Sequence, residues 1–457
     1  MREIRTPRRD MAAGAADPWA ADGLMAVGTL FGQLYGDDEM AAILSDRSAI
    51  LAMLRVEVAL ARAQADLGAI PAAAAEVIAK AAEALDPDPA ELAAAVARAG
   101  ITAQPVIAAL KSAAGEAGAF AHYGATSQDI VDTALALQLV AALDLLGGRL
   151  DRLTALLVQK AADHADLPIP ARTRHQIAAP TTLGAKIAVW HGMAARNRQR
   201  LDELRPRLLL VSLHGAAGTE AALAGHGPAL RASMAAALGL GVPAGPWHAA
   251  RDGIAELAGW LSLVTGALGK MGLDLVQLGQ SEIAEVAAGA GGGSSTMPQK
   301  QNPVAAEALA TLARLNAGDL AGMHQALVHA QERDGIALGL EWNLLPGMLE
   351  RSAAALRIAC DLAGTLVPRP DRIAATFAAD RGRMAAEAAG FLLAQTLPRA
   401  EALRIVAQAL AQVAGGEAPT LADALARLAP GRDWAEALRP ENLTGAAPDQ
   451  ARAARPI

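Results

Sequence analysis

The stretch DTALALQLVAALDLLGGRLDRLTALLVQKAADHADL, residues 132–167, sets leucines three and four residues apart for most of its length. This spacing is typical of a helix that buries one face, and helices of this length usually belong to a bundle. Four more long helical segments are predicted, within residues 181–209, 251–286, 303–335 and 342–366. Because no run of strand-like alternation interrupts them, we predict an all-α fold built around a central bundle of long helices.

Smaller units flank the predicted bundle. Residues 1–37 form an N-terminal tail, and residues 38–121 form a small helical domain. The bundle occupies residues 122–365, and shorter helices make a C-terminal helical domain from residue 366 to residue 457. We therefore expect a three-domain subunit that follows a short tail.

Composition narrows the function classes and the partners. The formal charge of −7 is spread over the chain without a basic block, which argues against a nucleic-acid partner. A single cysteine, Cys360, excludes an intrachain disulfide and a cysteine-based metal cluster. We find neither the continuous apolar core of a signal peptide nor a predicted membrane span. These features favour a cytoplasmic protein that does not bind membranes.

Two polar segments do not resemble the surface of a bundle. AHYGATSQDIVDT, residues 121–133, precedes a long apolar helix, and its Thr, Ser and Asp residues could equally serve as an N-cap. ARTRHQIAAPTTLGAK, residues 171–186, crowds cations at the entry to another helix, and a solvated charged loop is the alternative. The candidate site residues of these segments are His122, Thr126, Ser127, Gln128, Arg172 and Arg174.

A third polar segment, GGGSSTMPQKQNPV, spans residues 291–304. Its glycines permit backbone conformations that are closed to other residues, and its hydroxyls and amides can bind anions. A flexible linker is the alternative, but the second half of the segment contains two prolines, a lysine and an asparagine. We interpret the segment as a lid that is hinged at glycine, anchored at Pro298 and Pro303, and able to close over a substrate.

Residues 293–303 of this lid resemble the signature GSSxMPxKxNP of the fumarase/aspartase superfamily. The resemblance extends over residues 38–457 and implies an all-helical, three-domain subunit. It also implies a homotetramer in which each active site draws segments from three chains. By the same resemblance, Ser294, Lys300 and Asn302 are catalytic, with Ser294 as acid or base, and Ser295 and Thr296 contact the substrate.

Two branches of the superfamily resemble HYGATSQDIVDTALALQL: lyases that expel an amine and cycloisomerases that close a lactone. Other segments favour the cycloisomerases. Amine lyases generally carry histidine in a T-H-x-Q pattern, and the corresponding position here is Arg174. An amine needs a proton to leave, whereas a carboxylate, whose conjugate acid has a pKa of about 4, leaves unaided. His175 is one residue away and is able to take a shifted role.

The expected activity is therefore that of an intramolecular lyase, which interconverts a carboxymuconate and its lactone in the degradation of aromatic compounds. A fumarate-releasing lyase of the adenylosuccinate lyase type and a non-catalytic structural homologue are the alternatives. The substrate is a small polycarboxylate, and neither a metal nor another cofactor is required. Arg172, Arg174 and Arg251 are expected to bind its carboxylates, while Gln301 occupies a position where cycloisomerases often have arginine.

Overall fold

The computed structural model describes residues 29–293 and 295–455, so the predicted tail lies largely outside the described residues. The chain first forms six helices. Ser45 caps the third of them by accepting a hydrogen bond from the amide of Ser48. The six helices are α1 (Thr29–Tyr35), α2 (Asp38–Ile43), α3 (Asp46–Asp66), α4 (Ala72–Ala84), α5 (Pro89–Ala99) and α6 (Ala103–Ala113).

The central part of the chain contains the five predicted long helices. They pack on one another through a continuous core of leucine, alanine and methionine. The all-α prediction is confirmed. In chain order, with one shorter helix among them, they are α7 (Ser127–Asp163), α8 (Leu183–Leu208), the shorter α9 (Gly227–Leu238), α10 (Asp252–Leu278), α11 (Val304–Ala326) and α12 (Gly335–Thr365).

Helix α7 is long and apolar enough to cross a membrane by length and composition. Most of its apolar stretch is nevertheless buried inside the fold, where it packs on α3, α8 and α12. A helix at the centre of a bundle has the same composition, so this feature agrees with its place in the core.

A β-hairpin corrects the expectation that no strand-like segment is present. Strand β1 (Pro168–Thr173) pairs antiparallel with β2 (Gln176–Thr182), and Thr173 lies opposite Gln176. The register is irregular between Pro170 and Arg172. A second, minimal pair joins β3 (Val286–Ala287) to β4 (Val367–Pro368). The hairpin leads directly into α8, so it holds the polar segment 171–186 against one end of the bundle.

A separate core holds the N-terminal helices together, and it also includes residues from the predicted bundle region. Helix α9 and the preceding loop contribute Val211, Leu223 and Met234 to this core. The N-terminal unit is therefore built from two stretches of sequence. This arrangement places the start of α7 between the two cores.

The last part of the chain forms a third core, within residues 385–443. The residues before and after this core pack on the bundle. Ile373 belongs to the bundle core, and the final helix packs on α8. The helices are α13 (Pro370–Asp380), α14 (Ala386–Ala394), α15 (Arg399–Ala414), α16 (Leu421–Leu428), α17 (Trp434–Ala437) and α18 (Ala447–Arg452).

Candidate active site

The first polar segment caps α7. Thr126 is the N-cap residue, and it forms a capping box with Asp129, whose carboxylate accepts the Thr126 N–H at 2.9 Å. Asp129 is fully buried and also accepts the backbone N–H groups of His214 and Gly215, at 2.9 and 3.0 Å. Burial alone would raise the pKa of Asp129, but His248, at 2.8 Å, and these backbone donors hold it below its ordinary value. The N-cap interpretation of this segment is confirmed.

His122 precedes this cap and has an unusual backbone conformation, with φ of 59°. Its Nδ1 lies 2.7 Å from Oε1 of Glu57, and its backbone N–H donates to Oε2 of the same carboxylate at 3.0 Å. Glu57 is buried on α3, whereas the His122 ring remains partly exposed. One carboxylate therefore fixes both the backbone and the ring of His122.

Arg333, which the sequence analysis missed, binds two of the predicted residues. Its Nε donates to Oε1 of Gln128 at 3.0 Å, and its Nη1 donates to the hydroxyl of Thr126 at 2.7 Å. Gln128 is fully buried, and its Nε2 donates to Asp132 and to the His248 carbonyl. The polar run QERD between two apolar helices is the signal that could have indicated Arg333. Ser127 begins α7 beside these residues and is half-buried.

Arg251 lies in the protein interior rather than in an open site, with 2% of its surface exposed. Its Nε donates to Glu341 at 3.0 Å, and a second hydrogen bond completes a bidentate pair. Its Nη1 lies 3.0 Å from Oδ1 of Asp132 but is not aligned for a hydrogen bond. Its guanidinium also lies over the Trp247 ring, 4.8 Å from the centroid. This geometry does not support the predicted binding of a substrate carboxylate by Arg251, because two carboxylates of the chain already neutralise it.

The hairpin holds the second polar segment. Arg172 forms a bidentate pair with the buried Glu285, at 2.8 and 2.6 Å, so its charge is also compensated within the chain. Arg174 and His175 are the two turn residues, both exposed, with φ of 49° and 64°. A two-residue turn of this kind prefers asparagine and glycine. Larger side chains in strained positions are typical of functional sites, so the turn supports a functional role for this pair.

An open cavity of about 720 Å³ lies between this hairpin and helices α10 and α11. Arg172, Arg174 and His175 line one side, and Lys270 and Arg314 line the other. Among the described residues that line the cavity, basic side chains outnumber acidic ones, because Asp274 is the acidic side chain there. An anionic ligand or a neighbouring acidic group would therefore be stabilised there.

The third segment forms a closed loop. Gly292 and Asn302 pair through two backbone hydrogen bonds of 2.8 Å, and Pro303 precedes the first residue of α11. Neither Gly291 nor Gly292 has a positive φ, which corrects the expectation that these glycines supply forbidden backbone conformations. They are needed for space instead, because a Cβ on Gly292 would lie 2.5 Å from Cγ2 of Val304.

The loop displays most of its predicted groups to solvent. Ser295, Thr296 and Lys300 are exposed, and Asn302 is half-buried at the base. Ser294, the predicted acid or base, lies outside the described residues. Among the described residues, the hydrogen bonds and ion pairs of His122, Thr126 and Gln128 reach neither the hairpin nor this loop. Within the part of the chain that the structure describes, the cavity beside the hairpin is lined by members of the second segment and by none of the first or third.

Comparison with known proteins assigns the family. Residues 35–316, more than half of the chain, match a family whose description is "Lyase". The chain belongs to this lyase family. The predicted membership of the fumarase/aspartase superfamily is confirmed, because its structural relatives belong to that superfamily.

Three relatives illustrate the range of activities in this lyase family. A 3-carboxy-cis,cis-muconate cycloisomerase of Pseudomonas aeruginosa is 40% identical over 83% of this chain and 84% of its own length. The crystal structure of a 3-carboxy-cis,cis-muconate lactonizing enzyme from Pseudomonas putida superposes with a TM-score of 0.88 at 36% identity, and the match covers 93% of this chain and 98% of that one. An N-acetyl-S-(2-succino)cysteine lyase of Dickeya dadantii is 36% identical over 69% of this chain and 70% of its own length.

Proposed function

We propose that the protein is an intramolecular lyase that interconverts 3-carboxy-cis,cis-muconate and 4-carboxymuconolactone in the degradation of aromatic compounds by the β-ketoadipate route. The observation that carries this proposal is the similarity to the cycloisomerase of Pseudomonas aeruginosa over more than four fifths of both chains. Arg174 at the hairpin tip adds chemical support, because a lactone-forming enzyme does not need a histidine there to protonate an amine.

The proposed reaction adds a carboxylate oxygen of the substrate across a double bond. A C–O bond forms, and the electron pair of the double bond moves toward the neighbouring carboxylate, giving an aci-carboxylate. Lys300, Asn302 and the loop amides would stabilise this charge once the loop closes and excludes water. Ser294 would then donate a proton to the carbon next to that carboxylate, and in the reverse direction it would remove the same proton.

The arginine and lysine side chains differ in whether a carboxylate of the chain already binds them. Arg172 and Arg251 already have carboxylate partners in the chain, whereas Arg174 and Lys300 are exposed. We therefore propose that Arg174 and Lys300 make the principal charge contacts with the polycarboxylate, with Arg333 near Thr126 as an additional cation. Gln301 is neutral at a position where cycloisomerases often have arginine, so this loop has one cation fewer. It would favour a substrate acid that places less negative charge there.

We also propose a cytoplasmic homotetramer with shared active sites. The support is that the described hydrogen bonds of the first segment do not reach the other two, and that the cavity beside the hairpin contains no described residue of the first or third segment. A site that used all three segments would then take them from more than one copy. The proposed chemistry requires no metal or other cofactor, because the charge that develops can be met by Lys300, Arg174 and backbone N–H groups.

The experiment incubates the purified full-length protein with 3-carboxy-cis,cis-muconate, follows loss of the conjugated absorbance, and identifies the lactone by chromatography. We expect turnover in the wild type and a loss of at least about 100-fold in kcat for Ser294→Ala. Unchanged turnover in Ser294→Ala would refute the acid/base assignment.

A fumarate-releasing lyase is a second candidate, because a relative of comparable identity is named for a succinylated cysteine. N-acetyl-S-(2-succino)cysteine and adenylosuccinate are therefore tested in parallel. Release of fumarate without formation of any lactone would replace the cycloisomerase proposal with the lyase, and inactivity on all three compounds would favour a non-catalytic homologue.

A further inference from the structure

Helix α3 carries two buried polar side chains in an otherwise apolar face. Glu57 and Gln64 are seven residues apart, so they lie on the same side of the helix, and each has 1% of its surface exposed. Gln64 donates to the carbonyl of Tyr123 at 2.6 Å, and Glu57 accepts from His122. The two side chains therefore hold adjacent residues, His122 and Tyr123, of the segment before α7.

Both oxygens of the Glu57 carboxylate contact His122. Oε2 accepts the backbone N–H at 3.0 Å, which stabilises the left-handed φ of 59°. Oε1 lies 2.7 Å from Nδ1, a distance at which Nδ1–H donates to the carboxylate. This hydrogen bond fixes which ring nitrogen carries a proton and leaves Nε2 on the opposite side of the ring.

A buried carboxylate is costly unless it has a charged or hydrogen-bonded partner. The Glu57 side chain is 1% exposed and the His122 side chain is 14% exposed, so the pair is anchored inside and reaches outward through the imidazole. When both ring nitrogens carry protons, Glu57 is the counter-charge, and Nε2–H becomes a cationic donor. Such a donor binds carboxylates about twice as strongly as a neutral one.

We propose that Glu57 is a positioning residue that orients His122, so that Nε2–H of the imidazolium binds a carboxylate of the polycarboxylate substrate. This inference rests on the proposed function for the identity of the ligand, but its geometry belongs to the Glu57–His122 pair alone. Glu57 acts through His122 and does not itself contact the substrate.

The experiment is a double-mutant cycle on the full-length protein with Glu57→Gln and His122→Asn. Asparagine tolerates a positive φ, and its amide can donate to Glu57 in place of Nδ1, so His122→Asn keeps the buried carboxylate paired while it removes Nε2. Gln64→Met is the matched control, since it removes the other anchor of the same segment and leaves the ring and its carboxylate intact.

Three quantities are measured for each variant: KM and kcat with 3-carboxy-cis,cis-muconate, and the Kd of the unreactive tricarballylate by calorimetry. We expect Glu57→Gln and His122→Asn each to raise KM and Kd roughly tenfold, with a smaller change in kcat. The double variant is expected to match His122→Asn, because Glu57 acts through the ring. Gln64→Met is expected to change KM and Kd by less than about threefold.

The outcomes separate this inference from the proposed function. Additive effects of the two substitutions, or an equal loss in Gln64→Met, would overturn the positioning role. If the wild type does not turn over the muconate but binds tricarballylate with the expected His122-dependent pattern, the positioning role stands and the proposed reaction falls. Absence of both turnover and tricarballylate binding in the wild type would overturn both.

Discussion

Asp132 is the group through which we expect pH to control the stability of this fold. It is fully buried beside Arg251, whose aligned N–H groups bind Glu341 instead. Burial is the main cause that raises the pKa of Asp132 from 3.8 to about 6, and the nearby Glu341 adds to it. Two buried carboxylates thus share one guanidinium, although one is sufficient to neutralise it.

The sign of the effect follows from linkage. An acid whose folded pKa exceeds its unfolded pKa binds more protons when folded, so stability falls as pH rises from 3.8 to about 6 and is constant above that range. The full cost of ionising Asp132 is about 3 kcal/mol of unfolding free energy at pH 8. About half of this cost is already present at pH 5, so the difference between the two pH values is on the order of 1 kcal/mol.

Asp132→Asn removes this ionisation while it keeps the shape of the side chain. We expect the variant to gain on the order of 1 kcal/mol of unfolding free energy relative to wild type between pH 5 and pH 8, measured by urea unfolding at one protein concentration. Any difference in hydrogen bonding between asparagine and protonated aspartate is the same at both pH values, so the pH-dependent part is diagnostic. A relative stability that stays constant or falls over this range would refute the reasoning.

Asp129→Asn on the same helix is the matched control. The pKa of Asp129 is lowered, so its contribution to stability is present above the ordinary value of 3.8 and is lost only as pH falls below it. The variant should be destabilised because buried N–H groups lose their acceptor. Asp129 is ionised at both pH 5 and pH 8, so its own titration adds no pH dependence over this range, in contrast to that of Asp132.

Four further substitutions test helix packing, the loop and Arg333. Gly272→Ala should cost about 1–3 kcal/mol of unfolding free energy, because its Cβ would lie 2.5 Å from a carbonyl oxygen of α11. Gly148→Ala, whose Cβ would meet no other atom, should instead stabilise the protein by up to about 1 kcal/mol. Thermal unfolding of the two variants compares these effects. Gly292→Ala should lower kcat without changing far-ultraviolet circular dichroism, since its Cβ meets Val304 at the base of the loop. Arg333→Gln should raise KM more than it lowers kcat, and an unchanged KM would exclude Arg333 from substrate binding.

The helices were predictable because their signal is local. The leucine spacing of residues 132–167 is enough to indicate α7, and the Ser45 cap marks where α3 begins. The hairpin was not predictable in this way. Strand β1 contains Pro168 and Pro170, which are uncommon in strands, and neither strand alternates regularly between apolar and polar residues. The sequence pattern therefore does not indicate that Thr173 pairs with Gln176.

The sequence indicates candidate segments for a site, but it does not indicate which of their charges lack a partner in the chain. Arg251 and Arg172 have the residue type that binds carboxylates, and in this fold each binds a carboxylate that is about 90 residues or more away in the chain, Glu341 or Glu285. No local pattern reveals such a partner, because a buried ion pair is set by how the helices pack. Sequence therefore indicates which groups can bind an anion, while the fold decides which of them remain available.

The first polar segment shows why the structural and functional interpretations need not exclude each other. Thr126 and Asp129 form the capping box of α7, while the Thr126 hydroxyl also accepts from Arg333 and the His122 ring remains partly exposed. Because buried groups already hold this cap in place, a ligand that binds next to it orders few further groups, and binding loses less conformational entropy. The rigidity that Asp129 and Glu57 give this segment is therefore itself a reason to expect that Arg333 and His122 act there as preorganised partners for an anion.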